Sequence, residues 1–174
     1  VEFFSVFLGK GLYLFSMVFP LLGTFSVPQN VGFVHCFTFL TIVGGFMNTQ
    51  AFNPTKDKYY AIFLMRMDAR EYSLVNYVYF IAKMFVGFMP FTIIIGYLTK
   101  TPLWICLLMP LFVCSVKLIF MSVIIHNQDS DKNVYNENMP TKIVWGGVLL
   151  FLAAAYVPLY FGYAMPIWLF PALC

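Results

Sequence analysis

Five apolar runs, at residues 3–25, 31–48, 75–98, 103–125 and 143–161, are the strongest constraint on this chain. A helix needs about 20 apolar residues to cross the hydrocarbon core of a bilayer. In water each run would have to bury all its faces, and a chain of 174 residues has no core large enough for five of them. Charge is correspondingly scarce, at 10% of residues where a soluble domain carries about a quarter. The expected fold is all-α, a polytopic transmembrane helix bundle. A further apolar run starts at Pro166 and is cut off at Cys174, bringing the count to about six spans. The chain begins at Val1 and stops inside that run, so 1–174 is expected to be one transmembrane domain, incomplete at one or both ends. Glu2 precedes the first run, no basic segment is visible before it and "GTFSVPQN" is a poor cleavage context, so the run is not expected to be a signal peptide.

Turn chemistry separates the runs. "SVPQN" at 26–30, "TKTP" at 99–102 and "GYAMP" at 162–166 are short, so the helices they join should be antiparallel neighbours. The other two links, 49–74 and 126–142, are long and polar. They hold Lys56, Lys58, Arg66, Arg70, Lys132 and Lys142, whereas the short links hold only Lys100. The excess of Lys and Arg places both long links, and with them the N-terminal end, on the cytoplasmic side. Pro20, Pro90, Pro110 and Pro158 fall inside runs, where each removes a backbone donor and kinks its helix, as fixed shape or as a moving element. Gly44–Gly45, Gly146–Gly147 and Ala153–Ala155 suit close helix packing, without a clean GxxxG.

The chemistry is bounded by what is missing. The seven acids are Glu2, Asp57, Asp68, Glu71, Asp129, Asp131 and Glu137, and none lies in the middle of a run. That argues against transport coupled to a proton or cation, which needs an intramembrane carboxylate. His35, next to Cys36, reads as a packed or hydrogen-bonded residue, since a metal site needs several ligands at one point. Cys36, Cys106, Cys114 and Cys174 read as small packing residues. No catalytic residue, metal or cofactor is expected, and a net charge of +3 gives no footprint for nucleic acid. No GxxxxGK[ST] is present, so any P-loop must be a partner's. Lys10 and Lys83 should snorkel toward the cytoplasmic surface. Lys117 either snorkels too or lines a polar cavity, where it is a candidate on a substrate path.

Residues 56–83 hold eight of the seventeen Lys, Arg, Asp and Glu residues. After Asn53-Pro54, the apolar residues Tyr60, Phe63, Leu64 and Met67 follow one helical face, which predicts a short interfacial helix on the membrane surface. Asp68 and Glu71 have the spacing of a capping box, so a new helix should start after Asp68. It begins with polar Arg70, Glu71, Ser73 and Asn76, then passes an aromatic collar of Tyr77, Tyr79 and Phe80.

Two crossings, a cytoplasmic loop with a short helix, the polar link "LMRMDAREYSLVNY", then a span with Lys83 near its start: this order resembles the membrane subunit of a type 2 ATP-binding-cassette exporter. The later loop "DKNVYNENMPTKIVW" is similar to the corresponding link in Gram-positive bacterial members. The resemblance implies a permease in a bacterial cell membrane, driven by a separate soluble P-loop ATPase and working as a homodimer or with a second permease half. It further implies that Phe63, Leu64 and Met67 form a knob for the ATPase, with Arg66 and Arg70 in polar contacts around it and Asp68 and Glu71 setting the helix break. The residues alone favour an interfacial helix that contacts only membrane lipid, in a non-transporting scaffold or sensor, and it is the resemblance that turns the reading to coupling. An aromatic content of 20% suits peptide or lipid-like cargo and lipid-facing packing alike.

Overall fold

The computed structural model describes residues 2–18, 27–48, 59–129 and 141–174. Among them there is no strand. The elements are α1 (Glu2–Val18), α2 (Gln29–Asn48), a single helical turn at Tyr60–Leu64, α3 (Ala69–Leu98), α4 (Leu103–Asp129) and α5 (Thr141–Tyr160), followed by short turns at Ile167–Leu169 and Phe170–Leu173. Four of these helices are long and apolar enough to cross a membrane: Gln29–Met47, Arg70–Leu98, Leu103–Val123 and Lys142–Tyr160. α1 has 17 described residues, and the rest of the first predicted span, Pro20 included, lies outside the described residues. The run from Pro166 forms only the two short turns.

The outer surface is as apolar as the interior. Only 17% of the spanning window of α3, and of α5, is buried, and Val78, Val86, Ile94, Leu149 and Leu150 stand exposed. Exposed apolar surface on this scale is incompatible with water and natural in lipid.

α3 and α4 pack along each other as an antiparallel hairpin. The link between them is built by Thr99 and Thr101, which share a buried 2.8 Å hydrogen bond between their hydroxyls. Thr101 N–H reaches back to Gly96 C=O at 2.8 Å and closes the end of α3, with Lys100 in the left-handed region at φ 57°. α1 packs on α3 and on α2, and α2 packs on α4, so α1 to α4 close a ring. Two glycines permit the close approaches. A Cβ on Gly45 would lie 2.7 Å from Val116 Cγ1 of α4, and one on Gly96 would run into Cys106 Sγ. Gly44 and Gly45 thus serve packing as expected, whereas Gly146 and Gly147 have open space around them among the described residues. α5 lies outside the ring, against α2. "GYAMP" was expected to lead into a helix beside α5, yet Phe170 is buried against Phe112 of α4, with ring centroids 5.3 Å apart.

Helices run unbroken through Pro90, Pro110 and Pro158. In the paired helices α3 and α4, Pro90 and Pro110 stand at the same depth, roughly two turns from their link. Pro158 has no N–H to give Ala154 C=O, its usual partner one turn back. His35 of α2 fills the vacancy: its Nε2 donates to Ala154 C=O at 3.1 Å. Nδ1 accepts from the N–H of Met165 at 3.1 Å, so both ring nitrogens are used and the imidazole is the neutral Nε2–H tautomer. His35 is therefore a hydrogen-bonded residue joining α2, α5 and the segment beyond α5.

A double-mutant cycle tests this. His35→Leu should destabilise the protein by about 2–4 kcal/mol, because it leaves a carbonyl and an amide unpaired. In a Pro158→Ala background the restored helix bond should reduce that loss by about 1 kcal/mol or more, read from thermal unfolding in detergent. Additive effects would sink the pairing.

Candidate functional site

Where α1 to α4 meet, small residues face large ones. Gly9, Thr41, Gly44 and Gly45 leave the space that Phe80, Met84, Phe88 and Val113 surround, a cavity of about 400 Å³. Pockets of this size hold small ligands. Two lysines line it, Lys10 from α1 and Lys117 from α4, and among the described residues no lining residue is an acid. Thr41, Gly44, Gly45, Phe80 and Lys117 sit in the halves of α2, α3 and α4 that lead to the long links, and Met84, Phe88 and Val113 lie just across the midpoints of α3 and α4.

Each lysine is held by its surroundings. Lys10 Nζ donates to Lys83 C=O at 3.2 Å and stands 5.8 Å from the centroid of the Phe88 ring. Its stem lies against Gly87, where a Cβ would come within 2.9 Å of Lys10 Cδ. Any larger residue at 87 would push the stem aside. Lys117 is 6% exposed, with its amine 4.8 Å from the centroid of the Phe80 ring. A desolvated cation over a ring gains about 2 kcal/mol. Taking an ammonium out of water costs several kcal/mol. Tyr13 closes one wall, its hydroxyl donating to Leu40 C=O at 2.8 Å.

Of the two routes open to Lys117, the structure takes the cavity. Lys10, expected to snorkel toward the cytoplasmic surface, is half-buried with its amine on the backbone of α3, where Gly87 leaves room for its stem. Lys83 does lean toward the link end of α3, its amine 5.9 Å from the Tyr79 ring one turn back.

The second feature is the segment before α3. Residues 49–58, Lys56 and Lys58 included, lie outside the described residues, as does most of the 126–142 link. The described part holds one wide turn, closed by Met65 N–H to Tyr60 C=O at 2.9 Å. Ala61 is buried, and the turn rests on α3. Phe63, Leu64 and Met67 are exposed, at 70%, 61% and 47%. The one-face pattern does not survive. Helix ends at Leu64 and Arg66 takes a left-handed backbone at φ 52°, so Met67 follows a chain reversal and shares no helical face with Phe63 and Leu64. Exposed Asp68 caps α3, its carboxylate accepting from Arg70 N–H at 2.8 Å. The expected return bond from Glu71 to the cap amide is not made among the described residues, and Arg70 and Glu71 face outward in the first turn.

The structure therefore gathers Phe63, Leu64, Arg66, Met67, Asp68, Arg70 and Glu71 at the start of α3. It places Lys117 in a separate cavity, about 18 Å along α3 by the distance from Asp68 to Phe80. Sequence reasoning missed Lys10 as a cavity residue, with Tyr13, Phe80 and Phe88. The available signal was a second lysine within an apolar run. Among the described residues no three His, Cys, Asp or Glu side chains converge. Comparison with known protein families, curated proteins and solved structures gives no significant match to this chain.

Asp68→Ala should loosen the first turn of α3 by about 1 kcal/mol. Hydrogen exchange at the Arg70 amide should accelerate accordingly, and Asp68→Asn should keep most of the protection. Unchanged exchange in the alanine variant would show that the cap is idle.

Proposed function

We propose that this chain is a membrane permease subunit of an ATP-driven exporter of the ATP-binding-cassette class. It sits in a bacterial cell membrane with its N-terminal end and the 49–74 and 126–142 links in the cytoplasm, as about six spans with the 59–64 turn at the interface. It works with a separate soluble P-loop ATPase and a second permease, identical or not. The observation that carries this reading is that α3 connects two features a driven permease needs. One end bears an exposed apolar segment, and the same helix lines an internal cavity with Phe80, Met84 and Phe88.

The length of α3 supports it. Its 30 residues span about 45 Å, against a hydrocarbon core of about 30 Å, so the link end stands clear of the apolar region. Exposed Arg70, Glu71, Ser73 and Asn76 suit that aqueous position. Phe63 and Leu64 form the knob, Met67 extends it past the chain reversal, and Arg66 and Arg70 stand ready for acidic groups of the ATPase. Asp68 and Glu71 set the break between knob and helix. In the lipid-contact alternative, the same apolar side chains insert among headgroups of a scaffold or sensor and need no partner.

Affinity purification in mild detergent separates the two. A P-loop ATPase should co-purify at a fixed ratio, identified by mass spectrometry. Phe63→Asp or Met67→Asp should weaken its retention on the order of tenfold or more while the variants still elute as folded protein. A preparation free of any such ATPase would abandon transport in favour of the scaffold.

A further inference from the structure

Beyond α5 the chain turns back toward the bundle. Gly162, in the left-handed region at φ 80°, reverses it, and Tyr163 N–H closes the end of α5 on Pro158 C=O at 2.9 Å. Residues 163–170 then form a strap that leads from α5 to α4. Its far end is Phe170, buried against Phe112 of α4, just past Pro110. Its middle is held by the Met165 amide, which donates to Nδ1 of His35 on α2. Among the described residues this bond is the strap's polar tie to the ring of helices, and Ala164, Met165 and Ile167 add partly buried apolar contact.

The tie is conditional on the charge of one ring. A neutral imidazole has one donor and one acceptor, and His35 spends the donor on Ala154 C=O and the acceptor on Met165 N–H. A second proton on Nδ1 sets a donor against a donor, so the Met165 amide has to leave. The other bond strengthens, because an imidazolium N–H makes a charge-assisted bond to Ala154 C=O. The Phe39 ring, its centroid 4.8 Å from that of His35, offers the cation an aromatic face. Protonation therefore keeps α2 on α5 and frees only the strap.

We propose that His35 is an acid-sensitive latch on the strap, closed while the ring is neutral and open as imidazolium. Because the closed form needs the neutral ring, the latch holds above the imidazole range and is lost as pH falls from about 8 to 5. Other titratable groups near the joint stay uncharged across that window: Cys36 on α2, with its thiol on Ala155 C=O, Tyr156 on α5 and exposed Tyr163 on the strap. On α4, Cys106 and Cys114 turn toward α3, and on α1 Tyr13 is bonded to Leu40 C=O. Lys10 and Lys117 lie at the cavity with Gly45, about 15 Å farther along α2 from His35. Lys142 is at the opposite end of α5 from the strap, and His126 at the opposite end of α4 from Phe112. In the topology proposed above the strap lies on the outer side; that sidedness rests on the permease reading, and the latch does not.

The test uses the full ¹⁵N-labelled chain in a neutral detergent. The ring nitrogens of His35, told apart from those of His126 with a His126→Gln variant, should pass from one bound proton to two between about pH 8 and 5. Over the same interval the Met165 amide should lose about tenfold or more of its protection, once the intrinsic pH dependence of exchange is removed. Amides in the middle of α2 and α5 should keep theirs. His35→Gln, which offers one acceptor and donors at every pH, should make Met165 protection independent of pH. If that variant fails to fold, coincidence of ring titration and Met165 exposure in the unaltered chain decides the matter. A ring that stays neutral to pH 5, Met165 protection that is flat while the ring titrates, or an equal loss in His35→Gln would overturn the latch. So would loss of protection throughout α2 and α5 together, which would be acid unfolding. No ATPase enters the measurement, so its outcome and that of the permease reading are independent.

Discussion

A backbone carbonyl deprived of its helix partner has nowhere to turn in an apolar surrounding, and the arrangement of α5 depends on how one such carbonyl is satisfied. Pro158 frees the carbonyl of Ala154, and His35 supplies the missing donor from α2. α5 lies outside the ring of α1 to α4, with α2 as its neighbour in that ring, so this bond sits at its main contact with the rest of the protein. The other nitrogen of the same ring receives Met165 N–H and so holds the turn beyond α5. Apolar packing between oily helices in oil is weakly directional, and a few satisfied polar groups decide which faces meet. Cys36, one residue on, adds a weaker contact of its thiol to Ala155 C=O at 3.6 Å.

The same reasoning governs half-buried Lys10 and buried Lys117. An ammonium group tolerates an apolar bundle only where oxygen or aromatic faces replace part of its water. Lys10 finds the carbonyl of Lys83, and Lys117 finds the Phe80 ring.

Period and charge made most of the helices legible in the sequence. The spans 31–48, 75–98, 103–125 and 143–161 match described helices to within a few residues at each end, apart from the polar turns that extend α3 and α4 beyond the apolar runs. "TKTP" was readable as the hairpin link because Pro and Thr act locally, and so was the start of α3 at Asp68. What was not readable depended on which helices meet. His35 could be recognised as hydrogen-bonded, but its partner is 119 residues away and exists only because Pro158 vacated a carbonyl. Lys10 and Gly87 are unremarkable apart; contact between α1 and α3 makes them a pair. The stretch before α3 misled for the opposite reason. Its apolar spacing imitates a helical face, but the left-handed turn at Arg66 breaks the period before Met67.

Pro90 and Pro110, standing level in α3 and α4, divide that hairpin into two halves. A helix is most easily bent where proline has removed a backbone bond, and two such places side by side form a common fulcrum. Phe80, Met84, Phe88, Val113 and Lys117 all lie between this fulcrum and the long links, and Asp68 lies at the far end of the same arm. A bend there would carry one complete wall of the cavity with it, leaving α1 and α2 behind. The arm that runs from Ala69 to Pro90 is about twenty residues of helix, close to 30 Å.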